Sequence, residues 1–206
     1  MIKISSVNKK IKKHQILSDI SLQIEGIYGL VGPNGAGKTT LMKILSSLIS
    51  MDEGRVEIDG ENYVKGKYVK ANHLIGYLPQ DFMVYPKITV DETLDHIAIL
   101  QGMMNKKERE MEIWEAIKKV NLTGHENKKM MELSGGMRKR VGIAQLLMRK
   151  PSILIFDEPT AVLTPQEIDQ LMITMKSLTK EGKSIIFITH KLDEIMILNL
   201  KVLYHI

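Results

Sequence analysis

The glycine-rich segment GPNGAGKT, residues 32–39, constrains the fold more than any other stretch of the chain. It matches the pattern G-x-x-x-x-G-K-[ST], in which glycines let backbone N–H groups curl around phosphate oxygens. The pattern has this meaning only between a strand and a helix. Here the apolar run GIYGLV precedes it, and apolar residues follow at helical spacing: Leu41, Ile44, Leu45, Leu48 and Ile49. We therefore predict a strand, a phosphate-binding loop and a helix, in that order.

The loop predicts a set of nucleotide-binding residues with distinct roles. Lys38 is expected to reach the terminal phosphates, and the Thr39 hydroxyl can coordinate Mg²⁺. The backbone around them is expected to surround the phosphates at the start of a helix. The predicted nucleotide-binding residues are Gly32, Pro33, Asn34, Gly35, Ala36, Gly37, Lys38, Thr39 and Thr40.

Two further apolar runs, ILIF and IIFIT, are rich in β-branched residues and are typical of parallel strands buried on both faces. Between them, Thr164, Pro165 and Glu167 form a T-P-x-E capping box that predicts a helix start, and Gly182 stands where a helix end is expected. The apolar face of this helix is Ile168, Leu171, Met172, Met175 and Leu178. Strands thus alternate with helices, which indicates an α/β fold with a mostly parallel central sheet.

Ionisable residues suited to metal binding or catalysis follow both of these apolar runs. Asp157 and Glu158 come directly after ILIF, so we expect Asp157 to hold Mg²⁺ and Glu158 to activate a water for attack on the γ-phosphate. His190 ends the next strand and is expected at the same sheet edge, where it would contact the γ-phosphate. Glu158 and His190 are therefore predicted catalytic residues.

The stretch LSGGMRKRVGIAQ, residues 133–145, places Arg138, Lys139 and Arg140 in the first turn of a predicted helix. A helix N-terminus prefers acidic neighbours, so these cations call for an anion. The helix start also offers the hydroxyl of Ser134 and the backbone N–H groups of Gly135 and Gly136, which no side chain covers. These donors predict a second phosphate site there. Because the first loop already saturates its own nucleotide, a second site predicts a nucleotide held between two molecules.

Composition excludes several other classes of protein. The chain has 206 residues and no cysteine, so disulfides and thiolate metal sites are excluded. Charges interrupt every apolar run before the roughly 18 residues that a membrane span needs, and the N-terminus lacks the apolar core of a signal peptide. The formal charge is +5, but the basic residues are scattered and not interleaved with aromatics, so no nucleic-acid partner is expected.

With the phosphate loop, LSGG and DEPT at these spacings, nearly the whole chain resembles the ATP-binding subunit of ABC transporters. In that family residues 32–39 match the Walker A loop, residues 153–157 match Walker B, and residues 134–136 match the signature, with Met137 where Gln is commoner. The resemblance implies that Gln80 is the Q-loop residue, with a catalytic and a metal-binding role. It also implies that Glu158 is the catalytic glutamate and His190 the switch histidine.

The resemblance further implies a P-loop NTPase fold with a small antiparallel β arm and a helical subdomain, at about 88–148, inserted in the core of a single domain spanning 1–206. It implies ATP and Mg²⁺ as cofactors, and a head-to-tail homodimer or heterodimer with two sandwiched ATP molecules. It also implies a membrane permease partner, and with it a location in the cytoplasm, peripheral on the inner face of the membrane. These motifs name neither the cargo nor the direction of transport.

The chain departs from the family pattern at three points. The aromatic residue that stacks on adenine falls, by spacing, on Ile11, and the D-loop Asp is replaced by Thr164. The C-terminus is short, and residues 202–206 are expected to add an edge strand to a sheet.

Three interpretations remain open. The first part resembles ATPases of ABC-2-type exporters and residues 157–195 resemble those of nucleoside and simple-sugar importers, so ordinary divergence and a hybrid gene are both possible. A truncated or hybrid cassette that binds nucleotide but turns over poorly is one alternative to a transporter ATPase. A soluble ABC ATPase of translation or DNA repair is the other, although the chain has one cassette and no long coiled-coil insertion before the signature.

Overall fold

The computed structural model describes residues 1–33, 35–63, 74–82, 84–161 and 163–189, together with the backbone of 201–204. The elements are numbered in chain order. The strands are β1 (Ile2–Ile11), β2 (His14–Ile24), β3 (Ile27–Val31), β4 (Glu53–Ile58), β5 (Glu61–Tyr63), β6 (Ile75–Leu78), β7 (Ile153–Asp157), β8 (Ser184–Ile188) and β9 (Lys201–Tyr204). The helices are α1 (Lys38–Leu45), α2 (Val90–Leu100), α3 (Lys106–Lys119), α4 (Gly135–Leu147) and α5 (Pro165–Lys180).

The strands form two sheets, which confirms the predicted α/β fold. One sheet is parallel and has the order β6-β7-β8-β3-β9, and the other is antiparallel with the order β2-β1-β4-β5. Because parallel strands end at one edge of their sheet, the loop after β3 and the acidic pair at the end of β7 lie at the same edge, with β8 between them. The strand β9 lies beside β3 at one side of the sheet, where the sequence predicts an added strand, and residues 205–206 lie outside the described residues.

Side chains of the parallel strands alternate between two cores, as the period of a strand requires. On β7, Ile153 and Ile155 pack with α1 and the antiparallel sheet, whereas Leu154 and Phe156 pack with α2, α3, α4 and α5. All four side chains are at most 1% exposed. The strand β7 is therefore held rigidly on both faces, and so is the acidic pair at its end.

The helix predicted between β7 and β8 is present as α5, and the Thr164–Glu167 capping box forms at its start. Gly182 follows its end with φ +84°, a backbone angle that favours glycine. The helices α2, α3 and α4 occupy the stretch predicted as an inserted subdomain, and they share one apolar core with a face of the parallel sheet. Their status as a separate subdomain stays a prediction.

The buried Arg109 joins α2 to α3. Its guanidinium donates to Asp95 Oδ1 at 2.7 Å and to the carbonyls of Met103 and Met104 at 3.1 and 3.0 Å.

Within the described ranges, no helix combines the length and the apolarity needed to cross a membrane.

Candidate active site

The loop after β3 has the backbone that a phosphate-binding turn requires. Gly35 and Gly37 adopt φ angles of +86° and +89°, which residues other than glycine rarely adopt. At Gly37 a Cβ would lie 2.7 Å from Leu17 Cδ2 and 2.9 Å from the Ile16 carbonyl oxygen, so glycine is required for space as well. The loop then enters α1 at Lys38, which directs the helix N-terminus and its partial positive charge at the loop.

Lys38 closes the loop in this structure. Its ammonium donates to the carbonyl oxygens of Gly32 and Pro33 at 2.7 and 2.8 Å, and the residue is 7% exposed. The cation therefore lies inside the turn and not in solvent. A phosphate in the turn would be a stronger acceptor than these carbonyls, because its oxygens are charged as well.

A cleft of about 300 Å³ opens beside the loop, at the lower limit of small-molecule sites. Its lining brings together the loop, the start of α1, Glu158 and the apolar Ile16: in full, Ile16, Gly35, Ala36, Gly37, Lys38, Thr39, Thr40 and Glu158. The structure thus joins Lys38 and Glu158 in one cleft, as the sequence predicts. Ile16 is a lining residue that the motif analysis missed, because its place in β2 is far from the loop in sequence.

Glu158 has a backbone angle that is uncommon for a residue with a side chain. Its φ is +45°, and its N–H donates to the Ile188 carbonyl at 3.1 Å. Left-handed backbone at a non-glycine residue costs of order 1–3 kcal/mol and is concentrated at functional sites. The turn is held by β8, and it places Glu158 on the lining of the cleft.

Asp157 is buried, 5% exposed, at the last position of β7. The Tyr77 hydroxyl donates to its Oδ2 at 3.1 Å. Burial, and then the charge of Asp157, raises the pKa of Tyr77, so the phenol stays protonated as a donor. No sequence motif pointed to Tyr77, because it lies 80 positions from Asp157 along the chain.

The three basic residues at the start of α4 each satisfy a backbone carbonyl. Arg138 donates to Leu133 O at 2.7 Å, and Arg140 donates to Asn121 O at 2.8 Å. Lys139, 9% exposed, donates to the carbonyl of Gln80, and burial lowers its pKa. These cations bind α4 to its neighbours, an explanation that the sequence pattern did not contain.

The start of α4 is capped from two sides. Ser134 is its N-cap and accepts from the N–H of Met137 at 3.2 Å. The Gly136 N–H donates to Oε1 of Glu167, at the start of α5, at 3.0 Å. An intrachain carboxylate therefore lies on the backbone that the sequence predicts to bind a second phosphate.

A second cleft, of about 290 Å³, lies between the segment after β6 and α4. Gln80 and Gly135 line it, together with Asp81, Phe82, Arg138, Lys139 and Leu163. It shares no lining residue with the cleft at Lys38, so Gln80 and Gly135 line a different cleft from Lys38 and Glu158. The predicted site residues Asn34 and His190 lie outside the described residues.

Comparisons with known proteins agree on one family. A family model described as ABC transporter matches residues 17–161. The chain is 43% identical over 184 residues to the nucleoside import ATP-binding protein NupA of Lactococcus lactis, and 35% identical over 200 residues to the linearmycin resistance ATP-binding protein LnrL of Bacillus subtilis. These alignments cover 86% and 95% of this chain but only 36% and 63% of the relatives, so the chain spans less than two thirds of either relative.

Solved structures agree as well. The dimeric ATP-binding cassette MJ0796, in a post-hydrolysis state bound to ADP and Pi, has a TM-score of 0.79 and 29% identity to this chain. The match covers 94% of this chain and 90% of that one. The ADP conformation of the cassette MJ1267 has a TM-score of 0.86 at 23% identity, a likeness of fold alone.

Proposed function

The chain belongs to the ABC transporter family, and on that premise we propose that it binds and hydrolyses ATP to power transport through a membrane permease. The single observation that carries the proposal is the cleft that holds both Lys38 and Glu158. A cation for the phosphates and a carboxylate for the attacking water are the two groups that ATP hydrolysis requires from the protein.

In the proposed complex, the triphosphate lies in the turn of residues 32–39. The ammonium of Lys38 exchanges the Gly32 and Pro33 carbonyls for phosphate oxygens, and α1 contributes the positive end of its dipole. Ile16, at the rim of the same cleft, offers an apolar contact for the base.

Mg²⁺ fits the oxygen donors that this edge of the sheet provides. Asp157 is a buried carboxylate whose Oδ2 is oriented by Tyr77, and Thr39 offers a hydroxyl on the first turn of α1. Mg²⁺ prefers few protein oxygens and completes its shell with water and phosphate. Bound there with ATP, the ion would neutralise negative charge on the phosphates. We propose Asp157 and Thr39 as its protein contacts, and the role of Gln80 there stays a prediction.

We assign Glu158 as the general base. Glu158 lines the cleft from a turn held by β8, and in this role its carboxylate would orient a water and take the proton of that water during attack on the γ-phosphate. The proposed contact of His190 with the γ-phosphate rests on its place in the sequence after β8.

We further propose that two cassettes, identical or different, close head to tail, each ATP lying between one loop of residues 32–39 and the opposite Ser134, Gly135 and Gly136. The likeness to the dimeric cassette MJ0796 supports this arrangement. In the cell the dimer would lie in the cytoplasm against a permease at the inner face of the membrane.

The test is Mg²⁺-dependent phosphate release by the purified chain. We expect turnover in the parent protein and a loss of about 100-fold or more in Glu158→Gln, since general-base catalysis contributes about 10²–10⁴-fold. Parent and variant turning over at equal rates would overturn the role of Glu158. Co-purification with a multi-span membrane protein tests the permease partner, and isolation of the chain without one would count against it.

A further inference from the structure

The signature backbone already carries an anion from its own chain. Glu167 Oε1 accepts from the Gly136 N–H at 3.0 Å, and its carboxylate is also hydrogen-bonded to the Ser134 side chain. These are two of the three residues that the proposed dimer uses to bind the γ-phosphate of the opposite ATP. The carboxylate of Glu167 therefore occupies the hydrogen-bond donors that the phosphate would use.

Glu167 is held in this place from the other side as well. Its Oε2 accepts from the Thr164 N–H at 3.1 Å, and its own N–H donates to Thr164 Oγ1 at 3.3 Å. The two oxygens of one carboxylate thus connect the start of α5 to the start of α4. A Cβ on Gly136 would lie 2.8 Å from Glu167 Cβ, so the contact also requires glycine at that position.

The side chain is an anion under all ordinary conditions. The hydrogen bond from Ser134, followed by those from the backbone of Thr164 and Gly136, lowers the pKa of Glu167 to about 2. The charge of Arg140 also interacts favourably with it. Two anions cannot share one N–H donor, because their repulsion at contact distance adds to the loss of one hydrogen bond.

We propose that Glu167 competes with the γ-phosphate of the opposite subunit's ATP for the signature donors and so raises the ATP concentration needed to close the dimer. This inference rests on the proposed head-to-tail dimer. In the open state, Glu167 occupies Gly136 and Ser134. In the closed state the phosphate takes these donors, and Glu167 keeps only its capping bonds to Thr164.

The competing explanation is that Glu167 only caps two helices. The two explanations predict opposite effects of a substitution at Glu167 on dimer closure. A residue that only stabilises the start of α4 would, when changed, weaken both folding and dimer closure. A competitor would, when changed, weaken folding but make closure easier.

The experiment measures ATP-driven dimerisation by light scattering in a Glu158→Gln background, with and without Glu167→Gln. The glutamine keeps the length of the side chain but replaces charge-assisted hydrogen bonds by neutral ones, which are about half as strong. We expect half-maximal dimerisation at about fivefold less ATP in the double variant, with a lower melting temperature. Glu167→Asp, which keeps the charge but is one carbon shorter, is expected to act in the same direction.

Glu92→Gln is the matched control. Glu92 makes the same capping box on α2: its carboxylate accepts from the Thr89 N–H at 2.8 Å, and its backbone N–H donates to Thr89 Oγ1 at 3.1 Å, but it has no hydrogen bond to the signature. This change should lower the melting temperature and leave the ATP requirement for dimerisation as it is.

The outcomes distinguish a failure of the competition by Glu167 from a failure of the proposed dimer. If Glu158→Gln dimerises and the added Glu167→Gln needs equal or more ATP, the competition is refuted while the dimer stands. If Glu158→Gln stays monomeric at saturating Mg-ATP but the double variant dimerises, the competition is supported in its strongest form. If neither dimerises, the sandwich and the competition both fail.

Discussion

Replacing Lys38 by Ala tests the centre of the proposed site. The side chain is 7% exposed and makes two charge-assisted hydrogen bonds, to Gly32 O and Pro33 O. In the proposed complex it donates to phosphate oxygens instead. A hydrogen bond to a charged group contributes about 1.5–3 kcal/mol. We therefore expect Mg-ATP binding to weaken by about 2–3 kcal/mol, or about 30- to 150-fold in Kd.

The same change should affect folding far less. The loop loses two hydrogen bonds, but the cost of burying an ammonium group also disappears, so the net change in unfolding free energy is about 1 kcal/mol, or about 2–4 °C in melting temperature. Calorimetric titration with Mg-ATP and a thermal melt measure the two quantities on one preparation.

Lys43→Ala is the control. Lys43 is exposed near the end of the same helix α1, and its replacement removes the same charge as Lys38→Ala does. It should bind ATP as the parent does. Lys38→Arg should bind poorly despite its charge, because the larger guanidinium does not fit the enclosed turn. Equal Kd values for the parent and Lys38→Ala would refute the assignment of Lys38 to the phosphates.

Three further predictions concern single side chains. The folded state holds the pKa of Glu167 at about 2, below its ordinary 4.5, so its stabilisation is complete above the ordinary value and is lost as the pH falls towards 2. The difference in melting temperature between the parent and Glu167→Gln should therefore stay constant from about pH 7 to about pH 4.5 and shrink below that as the pH falls towards 2, and a difference that stays constant down to about pH 3 would contradict this. Tyr77→Phe removes the donor to buried Asp157 and should lower the unfolding free energy by about 1–2 kcal/mol, which denaturant unfolding measures and an unchanged midpoint would exclude. Ile11→Tyr should tighten ATP by about 1–2 kcal/mol if this position faces adenine, and unchanged titration would place the base elsewhere.

Much of the fold followed from local patterns. The order of glycines before Lys38 specifies a turn that needs positive φ angles, and the apolar runs specify strands buried on both faces. The capping box at Thr164 and Glu167 formed as predicted because its hydrogen bonds join residues three positions apart. Such features depend on neighbours along the chain, so sequence alone suffices to predict them.

The partners of the basic residues on α4 did not follow from the sequence. The pattern placed Arg138, Lys139 and Arg140 beside a phosphate site, whereas each reaches a carbonyl, two of them on other parts of the fold. A cation near a helix start can be offset by any acceptor that the fold brings close. Sequence spacing carries no information about which one that is.

By itself, the sequence determined the phosphate loop around Lys38, the acidic pair at the end of β7 and the α/β order of the elements, because each depends on residues that are adjacent along the chain. Only the tertiary structure decided that Tyr77 orients Asp157, across 80 positions, and that Glu167 occupies the Gly136 N–H, across 31. Contacts of this kind arise when the packing of helices and strands brings distant segments together. Their energies depend on distances of a few ångströms, which sequence patterns do not specify.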